Sequence, residues 1–233
     1  MFVPVAASAV ALAALAARPA EEPDVASEGI WSLLTRDRAV AGWAAGELLA
    51  YSAWGGTVTF AGALMIESYE PSRAFVGLLL AAAAAAYFPG NMLARRRVDR
   101  APRRLLALLG VGLAVSLAVF GAARPGLWFS VAMFALIVML AGGRTLAGST
   151  AGLEAAPCDP VAAMSIRAAA TQLGILAGAA IGGAALAAGG YGLLGAVLSL
   201  FFAAGAAPHL ATVRIPSITH RTGLVPATEG GQK

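Results

Sequence analysis

Residues 39–66 read AVAGWAAGELLAYSAWGGTVTFAGALMI, and this stretch decides the fold. The only charged side chain in it is Glu47. About 20 apolar residues are enough for a helix to cross the hydrocarbon core of a bilayer. Backbone groups in lipid must be hydrogen-bonded within the protein, and a helix achieves this inside one segment. The stretch therefore predicts a transmembrane helix with one carboxylate inside it.

Similar apolar runs occupy most of the remaining chain. Only 12% of its 233 residues are charged, whereas a soluble domain is about a quarter charged. We predict an all-α fold, a polytopic membrane bundle of six long helices and a shorter N-terminal one. The further long helices are expected at residues 74–94, 105–122, 127–148, 162–188 and 193–213, and the short one at 2–17.

Changes in polarity along the chain predict its organisation. We expect a partial transmembrane helix at residues 1–17, a polar cytoplasmic linker at 18–38, the six-helix bundle at 39–213 and a disordered cytoplasmic tail at 214–233. The first segment ends in small residues, so a cleaved signal peptide is the alternative to a partial helix there. A signal peptide usually has a positively charged region before its apolar core, and this segment lacks one.

The arginines are distributed unevenly between the loops. Six lie between Arg95 and Arg104, and others lie in the linker and the tail, whereas the opposite loops contain only Arg73 and Arg124. Loops rich in Lys and Arg remain on the cytoplasmic side. We therefore expect a multi-pass protein of the inner or plasma membrane with a cytoplasmic C-terminus, in contact with membrane lipid.

Residues that the chain lacks exclude several function classes. With one cysteine and two histidines, both near the C-terminus, we expect no internal disulfide and no metal site. The phosphate-binding motif of nucleotide-binding proteins is missing, as is a nucleophile–base pair, so we expect no cofactor and no enzyme. The arginines flank apolar runs and form no soluble basic face, so the sequence does not favour binding to nucleic acid. A retinal-binding receptor needs a lysine in its last helix, and the only lysine is Lys233.

The most specific motif begins at Gly90 and reads GNMLARRRVDRAPRRLL. It resembles the cytoplasmic loop signature of the major facilitator superfamily, G-x-x-x-D-R-x-G-R-R, in the copy between helices eight and nine. Its two glycine positions differ, because Arg95 and Pro102 stand there. The positions that match the signature are Asp99, Arg100, Arg103 and Arg104.

A second resemblance lies at residues 164–174, which read MSIRAAATQLG. Bacterial drug and sugar efflux members of the same superfamily often have such an eleventh helix. The resemblance implies that residues 39–213 are helices seven to twelve and that residues 2–17 are a remnant of helix six. The chain would then be the C-terminal half of a transporter that exports small molecules in exchange for protons.

The resemblance also implies a partner. The family fold has two six-helix bundles, so either an N-terminal half or a second copy of the chain would complete it. The alternative is a truncated, inactive remnant or a non-transporting membrane subunit. For the arginine-rich loop, anchoring at the membrane surface competes with a latch in which Asp99 contacts neighbouring helix ends.

Glu47 is the strongest candidate for a substrate or proton pathway. It lies about 12 Å into its predicted helix at 1.5 Å per residue, and ionisable groups at such depth are costly and often functional. Tyr51, Trp54 and Thr57 follow on nearly the same helix face. The structural alternative is that Glu47 simply pairs with an arginine.

Two more polar residues are pathway candidates, and three glycines suggest packing. Arg144 can clamp an anion or pair with Glu47, or it can extend to the cytoplasmic interface, as we also expect for Arg167. Gln172 can line the pathway or form a hydrogen bond between helices.

Glycines that recur every four residues lie on one helix face, where another helix can approach closely. The glycines with this spacing are Gly174, Gly178 and Gly182.

Overall fold

The computed structural model describes residues 32–211, and all the regular secondary structure in that range is α-helical. Five of its helical segments are long and apolar enough to cross a membrane, which supports a multi-pass membrane protein. The predicted segments at 2–17 and 214–233 lie outside the described residues, as does most of the linker. In chain order the helices are α1 (Arg38–Tyr69), α2 (Arg73–Ala84), α3 (Tyr87–Val98), α4 (Pro102–Ala122), α5 (Leu127–Ala155) and α6 (Pro160–Ala211).

Short polar side chains determine where several helices begin. Asp37 accepts a hydrogen bond from the amide of Ala39 at 2.7 Å and caps α1. Ser72 caps α2, and Asp159 accepts from the amide of Ala162 at 2.8 Å at the start of α6. These acceptors satisfy amide groups that have no partner within the first helical turn.

The predicted helix at 74–94 is interrupted at residues 85–86, between α2 and α3. Pro89 explains the interruption, because proline has no amide hydrogen to donate to Ala85 and its ring clashes with that carbonyl. The chain instead makes tighter bonds there, such as the one from the amide of Phe88 to the carbonyl of Ala85 at 3.2 Å. The two helices together form one candidate span over Arg73–Val98.

The two helices predicted at 162–188 and 193–213 are the arms of one element, α6, so five candidate spans are found rather than six. Gly189 and Gly190 are not helical, and Gly190 has a φ of 67°. A Cβ atom placed on Gly182 would lie 3.2 Å from the side chain of Leu194. Twelve residues of straight helix would separate these positions by about 18 Å, so the chain reverses at the glycine pair.

Helix α1 lies between the two arms of α6. A Cβ atom on Gly56 of α1 would lie 3.0 Å from the carbonyl of Gly178 in the first arm and 2.7 Å from Leu198 in the second. Helix α4 packs on the second arm, where Ser199 donates to the carbonyl of Ala114 at 2.6 Å. Large apolar side chains such as Phe88 and Leu176 are about 70% exposed, which suits helices that face lipid.

The helix ends form two groups, one at each end of the bundle, in the combinations that the predicted topology requires. At one end, a cavity is bordered by Arg38 of α1, Arg103 of α4, Ala155 of α5 and His209 of α6. At the other end, Glu67, Arg124 and Tyr191 border an open depression. Chain segments predicted to share one side of the membrane therefore lie together, although the orientation relative to a cell is a proposal.

Candidate functional site

The carboxylate of Glu47 lies at the centre of the bundle with an exposed fraction of 0%. Gly148 of α5 makes room for it. A Cβ atom on Gly148 would lie 2.7 Å from one carboxylate oxygen and 3.0 Å from the other. A larger residue at this position would collide with the carboxylate, so the glycine creates the slot that Glu47 occupies.

Two arginines from different helices bind Glu47. Arg144 of α5 donates from Nη2 to Oε1 at 2.8 Å, and Arg167 of α6 donates from Nε to Oε2 at 3.1 Å. The side chain of Arg144 is 6% exposed and that of Arg167 is 16% exposed. The carboxylate therefore joins α1, α5 and α6 through charge-assisted hydrogen bonds, which are stronger than neutral ones.

Tyr51 lies one helical turn after Glu47 and completes the arrangement. Nη2 of Arg167 donates to its hydroxyl at 2.7 Å and to the carbonyl of Thr145 at 3.1 Å. The guanidinium carbons of Arg144 and Arg167 lie 5.7 and 5.5 Å from the centre of the tyrosine ring, within range of a cation–π interaction. We call Glu47, Tyr51, Arg144 and Arg167 the arginine–glutamate cluster.

The charges of the cluster do not balance. It contains two guanidinium groups, which are effectively always protonated, and one carboxylate. The two ion pairs of Glu47 are also the only ones within residues 32–211. With Glu47 ionised, the cluster carries an excess of one positive charge in a low-dielectric setting.

A cavity of about 140 Å³ adjoins the cluster. Arg144, Tyr51 and Thr145 are among its lining residues, and the remaining lining is mostly apolar or aromatic. The other residues that line the cavity are Ala50, Trp54, Tyr87, Leu113, Ala141 and Phe202. The cavity is therefore lined by one arginine and by mostly apolar or aromatic residues.

Trp43 fixes the position of α5 beside the cluster. Its indole nitrogen donates to the carbonyl of Gly148 at 2.9 Å, and its ring packs against Gly152. Trp43 is 2% exposed and lies one turn before Glu47 on α1. This contact holds the slot at Gly148 in register with Glu47.

Four of the six pathway residues predicted from the sequence meet here: Glu47, Tyr51, Trp54 and Arg144. Thr57 does not, because its hydroxyl donates to the carbonyl of Ala53 at 2.7 Å within α1. Gln172 is exposed on the surface of α6 and makes no contact with the cluster.

Arg144 pairs with Glu47, which is one of the alternatives given for it, and the extension to the interface is wrong for both arginines. Arg167 belongs to the cluster although it was not among the pathway candidates. The physical reason is the buried carboxylate of Glu47, which compensates both charges inside the bundle. The available signal was the opposite sign of the charges. Two arginines inside apolar runs and one glutamate inside another favour mutual pairing.

The arginine-rich loop has a different role from the cluster. Gly90 lies within α3, where its missing side chain admits the backbone of Met139 from α5. Asp99 and Arg100 form the turn after α3, and Arg103 and Arg104 lie in the first turn of α4. Asp99 makes no ion pair with any residue of 32–211, so the contacts of a latch are not found there.

The three regularly spaced glycines of α6 lie against α1. A Cβ atom on Gly174 would lie 2.8 Å from the carbonyl of Leu48, and Gly178 admits the carbonyl of Ser52. Gly182 faces the ring of Phe60. This close approach brings Arg167, two turns before Gly174, within reach of Glu47.

No group of three or more His, Cys, Asp or Glu side chains suited to a metal occurs between residues 32 and 211. Searches against protein-family models and against curated proteins found no match to this chain.

Proposed function

We propose that the protein is a secondary transporter, or one half of such a transporter, and that it couples the movement of a small molecule to protons. The observation that carries this proposal is Glu47, fully buried between arginines of two other helices. Ionisable residues within transmembrane helices commonly mark substrate pathways and proton relays. Export is the direction implied by the resemblance to efflux members of the major facilitator superfamily.

The proposed coupling uses Glu47 as the exchangeable group. When Glu47 is ionised, it holds α1, α5 and α6 together through Arg144 and Arg167. A proton on Glu47 would remove the negative charge and release both guanidinium groups. Each of the two states would favour a different arrangement of the three helices, which is the requirement for a ligand-driven conformational change.

Helices α1 to α6 would form one bundle of the transporter, with the two arms of α6 crossing separately. A second bundle would then supply the opposite wall of the pathway, either from an N-terminal half or from a second copy. This arrangement accounts for exposed polar groups such as Gln172, which would face the second bundle instead of lipid.

Glu47→Gln is expected to abolish solute-dependent proton movement. Glutamine keeps the shape of the side chain and accepts a hydrogen bond from arginine, but it cannot carry a proton. The measurement is the internal pH of proteoliposomes containing pyranine, after addition of each member of a panel of small organic anions, cations and neutral molecules. Glu154→Gln is the matched control, because Glu154 is exposed near the end of α5.

Two results would overturn the proposal. If Glu47→Gln moved protons as fast as the wild type, Glu47 would be a structural residue. The wild-type protein should be tested alone and co-expressed with the membrane proteins encoded beside its gene. If it moved protons with no solute of the panel in either case, the result would favour a non-transporting subunit.

The native Cys158 provides a test of orientation. It is exposed in the turn between α5 and α6, which we place in the cytoplasm. A membrane-impermeant maleimide should therefore label it only after the cells are permeabilised. Ala123→Cys in a Cys158→Ser background should react in intact cells, because Ala123 lies in the opposite loop. Labelling in the reverse order would contradict the proposed orientation.

A further inference from the structure

The positive charge of the arginine–glutamate cluster is only partly compensated, and Arg144 has unused donors. Its Nη2 atom donates to Glu47 and, at 3.4 Å, to the carbonyl of Gly46. Its Nε and Nη1 atoms donate to no residue in the described range. Arg144 is 5% exposed and lines the cavity of about 140 Å³.

Tyr51 supplies a second unused donor on the same wall. Its oxygen accepts a hydrogen bond from Arg167 at 2.7 Å, so its own hydroxyl hydrogen must point elsewhere. No acceptor for that hydrogen lies among residues 32–211. Arg144 and Tyr51 both line the cavity, so a guanidinium group and a hydroxyl with unused donors belong to the residues of its wall.

The size and the other walls of the cavity restrict that ligand. Ligand pockets for drug-sized molecules have volumes of about 300–1,000 Å³, whereas a cavity of about 150 Å³ holds a single benzene. Trp54, Leu113 and Phe202 line the same cavity with large, mainly apolar side chains. The space therefore suits a molecule with a benzene-sized apolar body.

We propose that this cavity binds a small monocarboxylate whose charged end pairs with Arg144 and Tyr51 and whose apolar body contacts Trp54, Leu113 and Phe202. This proposal rests on the proposed function, because it names the substrate class of the same site. A single carboxylate neutralises the excess charge of the cluster, and planar guanidinium groups match carboxylates in geometry. A dianion would reverse the excess charge, and a cation would add to it.

The test is equilibrium binding of benzoate to the purified full-length chain in detergent micelles, measured by titration calorimetry. Benzamide is the matched neutral probe, because it has nearly the same shape and no charge. Benzoate should bind at least about tenfold more tightly than benzamide, because its carboxylate forms an ion pair with the guanidinium group and the neutral amide cannot; a tenfold difference corresponds to about 1.4 kcal/mol.

Substitutions in the cluster should change benzoate affinity in opposite directions. Arg144→Gln should weaken binding about tenfold or more, because it removes the charge and the planar guanidinium group while Arg167 still compensates Glu47. Glu47→Gln should strengthen binding, because it doubles the excess positive charge. Arg73→Gln is the control and should leave affinity unchanged, because Arg73 is exposed at the start of α2.

Ala141→Leu tests the cavity without altering any charge. Ala141 lines the cavity, and three added carbon atoms would occupy the space of the apolar body. Loss of benzoate binding in this variant, with a retained helical spectrum, would support the site even if Arg144→Gln failed to fold.

Equal affinity for benzoate and benzamide would overturn the proposal, as would unchanged benzoate binding in Ala141→Leu. These measurements involve no pH gradient and no transport, so they are independent of the proposed function. Benzoate binding without coupled proton movement would leave the site valid and the transport proposal wrong. Coupled movement of other solutes without benzoate binding would support the transport proposal and overturn the proposed benzoate site.

Discussion

Glu47→Ala is expected to lower the free energy of unfolding by about 3–5 kcal/mol, the range found when one partner of a buried ion pair is removed. Alanine would leave Arg144 and Arg167 without their only carboxylate partner in the described bundle. Two uncompensated guanidinium groups would then repel each other in a setting where water cannot screen them. The loss should therefore exceed that of an ordinary large-to-small substitution on α1.

Unfolding can be followed by circular dichroism in mixed micelles with increasing denaturing detergent. Glu154→Ala is the control, and because Glu154 is exposed its effect should stay within about 0.5 kcal/mol. Glu47→Gln should fall between the two, because the amide oxygen still accepts one hydrogen bond. A loss below about 1 kcal/mol for Glu47→Ala would show that the arginines find other compensation.

Gly178→Ala is expected to destabilise the bundle by about 1–3 kcal/mol, the range for overpacking a close-packed interior. The added methyl group would collide with the backbone carbonyl of Ser52, which cannot rotate away as a side chain can. Helices α1 and α6 would have to separate, and the contacts on both sides of the collision would weaken. The higher helix propensity of alanine, about 1 kcal/mol, opposes this loss without cancelling it.

Gly77→Ala is the matched control for this substitution. Gly77 also lies in a helix, but a Cβ atom there would have open space around it. The same change should therefore leave stability unchanged or raise it by up to about 1 kcal/mol. Equal losses at the two positions would indicate that the alanine effect is not steric.

The membrane helices were largely predictable because their signal is local. The helix predicted at 105–122 differs from α4 only at its start, at Pro102. Helix α5 runs seven residues beyond its predicted end at 148, to Ala155. The hydroxyls of this extension are satisfied within the helix, because Ser149 donates to the carbonyl of Thr145 and Thr150 to that of Leu146, each at 3.1 Å.

The partners of Glu47 were harder to predict because they are distant in sequence. The depth of Glu47 in an apolar segment marked it as a site residue, and this needed no knowledge of the fold. Predicting that both Arg144 and Arg167 pair with Glu47 required the packing of α5 and α6 on α1, which depends on glycine contacts such as Gly148 and Gly178. The cavity beside the cluster arises from the same packing and has no signal of its own in the sequence.

The sequence separation within the cluster has a consequence for biosynthesis. Glu47 precedes Arg144 by 97 residues and Arg167 by 120 residues. At about 5–20 residues per second, a ribosome needs roughly 5–20 seconds to extend the chain from Glu47 to Arg144. During this interval α1 has a carboxylate in its apolar segment and neither arginine to pair with it. Helix α1 is therefore expected to remain near the insertion machinery or the membrane surface until α5 emerges, so the cluster cannot form before α5 and α6 have been synthesised.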